Sequence, residues 1–324
     1  MLRTRITELF GIDHPIIQGG MRWVARAELA AAVAEGGGIG FISAHMHRDP
    51  EDLRREIQRV RSLTDKPFGV NLTILPVYQG TDYDAYVRII LEMGVRFVET
   101  SGSNPAKYID AFKTAGIKVV HKCVAARFAV KAEKLGADAV IVNSFECGGH
   151  PGEEDTPALV LIPTVVDQVN IPVLAAGGQA DGRGLAAALS LGAEGAVYGT
   201  RFMATRESPL HPAIKQRLLE AGERDTVLVG RAVGDSQRVL RNALVMEDLA
   251  LEKRPGITYA ELLPLIGAPR WTQAAAKGDP DDGAIPAGMA VGLIHDIPPC
   301  AELIRRIGSE AEFIIRQRLQ SMAS

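Results

Sequence analysis

Glu146-Cys147-Gly148-Gly149-His150-Pro151-Gly152-Glu153 follows directly on the apolar run Ala139-Val140-Ile141-Val142. Two glycines ahead of a histidine at a strand end make a floor that a flat ligand can approach closely, with one titratable group beside it. This arrangement suits redox chemistry on a planar cofactor, with His150 taking or donating a proton or hydrogen-bonding a substrate oxygen. Gly177-Gly178 and Gly199-Thr200, each after a further apolar run, form a second constellation. A phosphate dianion needs converging backbone N–H donors, and glycines let the chain come near without a Cβ clash. Asp181 is placed to cap a helix starting near Gly182, and that helix start would present further N–H groups to the phosphate. Lys122 ends an otherwise apolar strand, which sets its ammonium where it can stabilise developing negative charge. Gln18 and Asn71, at other strand ends, offer amides suited to a ring edge of alternating donors and acceptors. Cys123 and Cys147 have no sequence-adjacent base and read as buried small residues.

The elements that position these groups are legible from periodicity. Eight short β-branched runs begin at Pro15, Gly38, Phe68, Arg96, Lys118, Ala139, Val173 and Ala196. They are apolar on both faces, as strands of a helix-covered parallel sheet must be. Amphipathic stretches such as Pro50 to Leu63, Tyr83 to Met93, Pro105 to Ala115 and Ala125 to Leu135 lie between them, each long enough for a crossover helix. The economy is that of a TIM (β/α)8 barrel, in which the site occupies the C-terminal ends of the strands and phosphate often sits after strands seven and eight. The alternation stops after Thr200, so the expected division is a barrel over 1–208 and a mostly helical lid unit over 209–324. The loop around Pro76 reads equally as a substrate gate or a plain connection.

With 36 Lys+Arg against 39 Asp+Glu there is no electrostatic footprint for nucleic acid. No apolar run approaches the ~18 residues of a membrane span, and the N-terminus lacks a signal-peptide core. Three cysteines are too few for a disulfide framework and fit a reducing cytoplasm. No clustered partners give the histidines a metal site.

Taken together, Gln18-Gly19-Gly20-Met21, Gly69 to Thr73, His121-Lys122-Cys123, Glu146 to Glu153, Ala176-Gly177-Gly178 with Asp181 to Gly184, and Gly199 to Phe202 resemble the FMN-dependent nitronate monooxygenase (2-nitropropane dioxygenase) family. The resemblance runs over nearly the whole chain and is nearest to the family's bacterial NADH:quinone reductase branch. It implies FMN contacts from Gly20, Met21, Asn71, Lys122, Gly149, Gly177, Gly178, Gly199 and Thr200. It also implies that His150 faces the substrate and that Pro76 belongs to a gating loop. The implied activity is hydride transfer from NADH to FMN and two-electron reduction of a quinone, with a homodimer as a compatible assembly. The alternative is oxidation of alkyl nitronates with O2 to a carbonyl compound and nitrite. Flavin-dependent enoyl-acyl-carrier-protein reductases share some of the motifs, and a non-catalytic phosphate-binding barrel has no evident need for both His150 and Lys122. No G-x-G-x-x-G follows the first strand, so NADH is expected as a transient co-substrate. Relatives often carry an aromatic where this tail reads Ala284-Ile285-Pro286, so the pocket wall contributed there differs.

Overall fold

The computed structural model describes residues 1–44, 49–74 and 81–323. After helix α1 (Arg5–Phe10) the chain alternates strand and helix through β1 (Ile16–Gln18), α2 (Ala27–Glu35), β2 (Ile39–Ser43), α3 (Pro50–Leu63), β3 (Phe68–Ile74) and α4 (Tyr83–Glu92). It continues through β4 (Phe97–Gly102), α5 (Ala106–Thr114), β5 (Lys118–Cys123), α6 (Ala126–Lys134), β6 (Ala139–Asn143), α7 (Ala158–Val166), β7 (Val173–Ala176), α8 (Gly182–Ser190) and β8 (Gly195–Tyr198). Neighbouring strands pair in parallel, and β8 returns to β1 with Ile17 opposite Val197, closing the eight-stranded barrel that the periodicity predicts.

Local chemistry sets the elements. In α3, Asp49 accepts from the Glu51 N–H, Pro50 opens the first turn, and Leu53, Ile57 and Val60 form the buried stripe. Inside the barrel the period of two fills the lower part with apolar side chains, among them Ile17, Phe41, Phe97, Val120, Ile141 and Val197. Phe10 of α1 plugs the base, edge-on to Phe41 at 6.1 Å and to Phe97 at 5.1 Å between ring centroids. The same alternation carried upward places Asn71, Glu99 and Lys122 above that apolar layer, on the inner face of β3, β4 and β5. A polar floor therefore sits on a packed plug.

Beyond β8 come α9 (Thr200–Met203), α10 (Pro212–Glu220), β9 (Thr226–Val229), β10 (Gln237–Leu240), α11 (Ala243–Leu251), α12 (Tyr259–Ile266), α13 (Ala268–Lys277) and α14 (Cys300–Phe313). β9 and β10 make an antiparallel hairpin, with Gln237 opposite Val229, in a region the sequence presents as helical. Each strand has only four residues, too short for alternation to stand out. Burial of Val229 and Val239 with Val245, Leu262 and Ile266 stabilises the pair. The tail does two different jobs. The hairpin and α12–α13 reach the barrel mouth, whereas α14 packs along α8 and α2 on the outer wall. No helix among the described residues is long and apolar enough to cross a membrane.

Candidate active site

A cavity of about 900 Å3 opens at the C-terminal ends of the strands. Of the residues singled out from the sequence, Gly20, Met21, Asn71, Lys122, Gly149, His150, Gly177, Gly199 and Thr200 line it. Gln18 stands apart: strand alternation turns it away from the Ile17 and Gly19 side, it is fully buried, and its Nε2 donates to the Phe41 carbonyl at 3.2 Å. Gly178 is next to the lining residue Gly177 without lining the cavity itself. Pro76 lies outside the described residues.

The floor is an ion-pair network that the sequence conceals. Lys122 Nζ lies 2.7 Å from Glu99 Oε1, with the lysine side chain 16% exposed and the glutamate 0%. Asn71 Nδ2 donates to the same oxygen at 2.8 Å, and the Gly20 N–H donates to Glu99 Oε2 at 3.2 Å. Thr73 Oγ1 donates to Asn71 Oδ1 at 2.8 Å, so the Asn71 amide is held at both ends and keeps one oxygen lone pair for a ligand. Gly20 permits this closeness, because a Cβ there would stand 2.3 Å from Asn71 Cγ. Glu99 lies within the strand run Phe97-Val98-Glu99-Thr100. The only sequence signal for it is a carboxylate in an otherwise core-facing register, which must find a buried cation.

One wall is the segment from Glu146 to Glu153, clamped from two sides. The Glu146 carboxylate accepts from the Ala158 N–H at 3.1 Å, capping α7, and the Glu146 carbonyl accepts from Met289 at 3.0 Å. Gly149 pairs in antiparallel fashion with Arg238 of β10, whose Nε donates to the Phe145 carbonyl at 3.1 Å. Glu153 accepts from the Ser236 N–H at 2.9 Å. The hairpin also supplies the partner of the histidine: His150 Nε2 lies 3.3 Å from Asp235 Oδ1, and the imidazole is 47% exposed. Burial is the largest single influence on the Asp235 carboxyl and works to raise it, but the hydrogen bond to His150, the charge of that imidazole and the hydrogen bond from Gln237 together hold the group below its ordinary range. The turn-rich stretch Val229-Gly230 to Asp235-Ser236 between two apolar runs is the sequence signal for this partner.

Burial pushes the Cys123 thiol up to about 12, and the low-polarity surroundings of the Cys147 sulfur push it up to about 11, which disfavours the thiolate at both. Cys147 lines the cavity and is only partly buried, in contrast to its reading as a core residue. His121, bonded through Nδ1 to Thr100 Oγ1 at 2.9 Å, is lowered to about 4 by burial and is neutral.

The loops expected to cradle a phosphate offer fewer free donors than the sequence suggests. Asp181 does cap α8, accepting from the Arg183 N–H at 2.9 Å, and Glu310 takes the Gly182 N–H at 2.8 Å. With those donors engaged and a carboxylate beside them, the start of α8 does not offer its first N–H groups to a phosphate. The amides of Gly178, Gln179 and Thr200 donate to no acceptor among the described residues. Gly177 has φ 98° and approaches Ser144 so closely that a Cβ would meet its Oγ at 2.2 Å. Asn143 Oδ1 and Gln179 Oε1 are buried in the cavity lining without a partner among the described residues. Orphaned buried acceptors beside free amides fit a polar, phosphate-bearing ring system. At the tail, Ala284 and Pro286 line the mouth, as does Trp271 of α13.

The fold and the site define a (β/α)8-barrel protein with unpaired backbone amides in the loops after β7 and β8, a charged floor and an exposed histidine at the rim. The family model for nitronate monooxygenase matches residues 3–79 and 74–310. FabK from Thermotoga maritima has a solved structure with a TM-score of 0.92 and 39% identity, covering 99% of this chain and 100% of that one. A nitroalkane oxidase from Streptomyces ansochromogenes superposes with a TM-score of 0.81 at 28% identity, over 95% and 98% of the two chains. The (3aS,4S,5R,7aS)-5-hydroxy-7a-methyl-1-oxo-octahydro-1H-indene-4-carboxyl-CoA dehydrogenase of Rhodococcus jostii is 35% identical over 96% of both chains. The chain belongs to the nitronate monooxygenase family and is an oxidoreductase.

Proposed function

We propose that the protein is an FMN-dependent oxidoreductase that accepts hydride from NADH and reduces a quinone by two electrons. The observation that carries this reading is one cavity of about 900 Å3 running from the Gly177 and Gly199 loops past Lys122 to His150. It stands near the top of the roughly 300–1,000 Å3 of ligand pockets, which suits a flavin and a second planar molecule together. A small alkyl nitronate requires less room. Bound FMN supplies reversible two-electron chemistry. The loops at 177–179 and 199–200 would hold its phosphate, and Gly20, Met21, Asn71 and Gly149 would pack at its ring. Lys122, fixed by Glu99, would set its Nζ at the floor of the mouth, where it could stabilise negative charge on the ring. With His150 Nε2 engaged by Asp235, Nδ1 is the atom left to pass a proton to the acceptor oxygen. In this reading the hairpin and α12–α13 are the lid, and the three free thiols suit a reducing cytoplasm.

A second reading has one specific support, the CoA dehydrogenase relative aligned over 96% of both chains. There the partner of the flavin would be an acyl-CoA. The deciding experiment mixes the yellow protein anaerobically with NADH, NADPH, ethylnitronate and an acyl-CoA in a stopped-flow spectrometer, then adds quinone. Bleaching by NADH and recovery with quinone is the expected result. Bleaching of the oxidised flavin by an acyl-CoA in place of NADH selects the second reading, and bleaching by nitronate without response to nicotinamides selects the monooxygenase. A colourless protein that cannot take up FMN ends all three. His150→Ala should keep its FMN and lose about 10²–10⁴-fold in turnover of the acceptor, as removal of a general acid does.

A further inference from the structure

The cavity does not end at the mouth. It continues between the β4–α5 loop, at Asn104 and Pro105, and one face of α6, at Phe128, Lys131, Ala132 and Leu135. Spacings of three, four and seven residues put the last four on a single helical stripe, about 10 Å long at ~1.5 Å per residue. Phe128 is 40% exposed. The Arg127 guanidinium lies over its ring, 4.5 Å from Cζ to centroid, and is itself held by Glu154. Arg127 and Glu154 thereby brace the ring while much of its surface stays open. Lys131, one turn further on, is exposed and makes no ion pair among the described residues.

A braced aromatic and a free ammonium one turn apart, on a groove joined to the reaction cavity, are the groups that recognise a nucleotide. The ring stacks on a base, and the ammonium pairs with a phosphate. A purely apolar tail would gain nothing from Lys131, so the pair favours a charged, aromatic ligand. We infer that the Phe128–Lys131 face of α6 is a docking subsite for the adenine nucleotide half of the diffusible co-substrate. The inference rests on the hydride-transfer reading above for its connection to catalysis. The ADP group is common to NADH and to coenzyme A, and the two sources are separable by experiment.

The FMN-loaded protein and its Phe128→Ala and Lys131→Met variants are titrated calorimetrically with ADP and with 3′-phospho-ADP. They are then assayed with NADH, with acyl-CoA and with N-benzyl-1,4-dihydronicotinamide, a reductant lacking the nucleotide half. Loss of one stacking platform should raise the KM for the nucleotide substrate about tenfold, and loss of an exposed cation about threefold, with kcat unchanged. Kinetics with the benzyl reductant should not move. ADP binding with the KM effect on NADH assigns the subsite to the dinucleotide, and preferential 3′-phospho-ADP binding with the effect on acyl-CoA assigns it to the coenzyme. Failure of both nucleotides to bind the unsubstituted protein at millimolar concentration overturns the inference, as does an unchanged KM for both substrates in both variants. A KM effect confined to tailed quinones also overturns it. If the benzyl reductant and NADH both leave the flavin unreduced, it is the hydride-transfer reading that falls, while the calorimetry still decides the subsite.

Discussion

Lys122→Met tests whether the floor of the mouth is one electrostatic unit. Glu99 is fully buried, and its carboxylate is balanced by the ammonium at 2.7 Å together with two neutral donors, Asn71 and Gly20. Removing the ammonium strands a charge in the barrel, a change that costs about 3–5 kcal/mol when one member of a buried pair is deleted. Lys122 keeps 16% exposure, which admits some water and puts the expectation at the lower end, about 3 kcal/mol. At about 2 °C per kcal/mol for a chain of this length, the thermal midpoint should fall by about 6 °C. Adding Glu99→Gln removes the stranded charge, so the double variant should return to within about 1 kcal/mol of the original protein. Calorimetry on the four FMN-free proteins measures this cycle without a contribution from cofactor affinity. A single Lys122→Met variant melting within a degree of the original would refute the reasoning, as would a double variant destabilised by the sum of the two singles.

Three further outcomes follow from named contacts. Gly177→Ala sets a Cβ 2.2 Å from Ser144 Oγ at a φ of 98°, so the purified variant should elute without flavin absorbance while its far-ultraviolet dichroism stays native. Asp235 has its carboxyl held below the ordinary range, so its contact with His150 stabilises the fold above about pH 4 and is lost as pH falls through the lower folded value. Thermal midpoints of Asp235→Asn should therefore lie below those of the original protein at neutrality and converge with them in acid. Asp248 is the opposite case: burial first, and then the neighbouring Glu252 carboxyl, raise it to about 7. Its fold favours the protonated form, so stability declines from about pH 4 to 7 and stays low above. Asp248→Asn should raise the midpoint at pH 8 and change it little at pH 4, and equal effects at both would contradict the assignment.

The sequence by itself determined the barrel and the strand-end part of the cavity lining. β-branched runs and amphipathic stretches are local signals, read within a dozen residues, and α3 follows its predicted span from Pro50 to Leu63. Glycines and polar residues at strand ends were legible because a barrel brings every strand end to one rim, whatever the details of packing. The tertiary structure alone decided which of those residues are joined. Glu99 and Lys122 come from adjacent strands whose register sets Glu99 opposite Val120, so the ion pair is a product of the barrel's stagger that no spacing along the chain encodes. Asp235 reaches His150 across 85 residues of sequence, through a hairpin whose four-residue strands gain their stability from burial against α11 and α12. The first amide of α8 was occupied in the same way, by Glu310 arriving from a helix packed on the outer wall. Local propensity fixes which elements form and which ends meet; the pairing of charges depends on distances between elements, and these exist only once the chain has closed on itself.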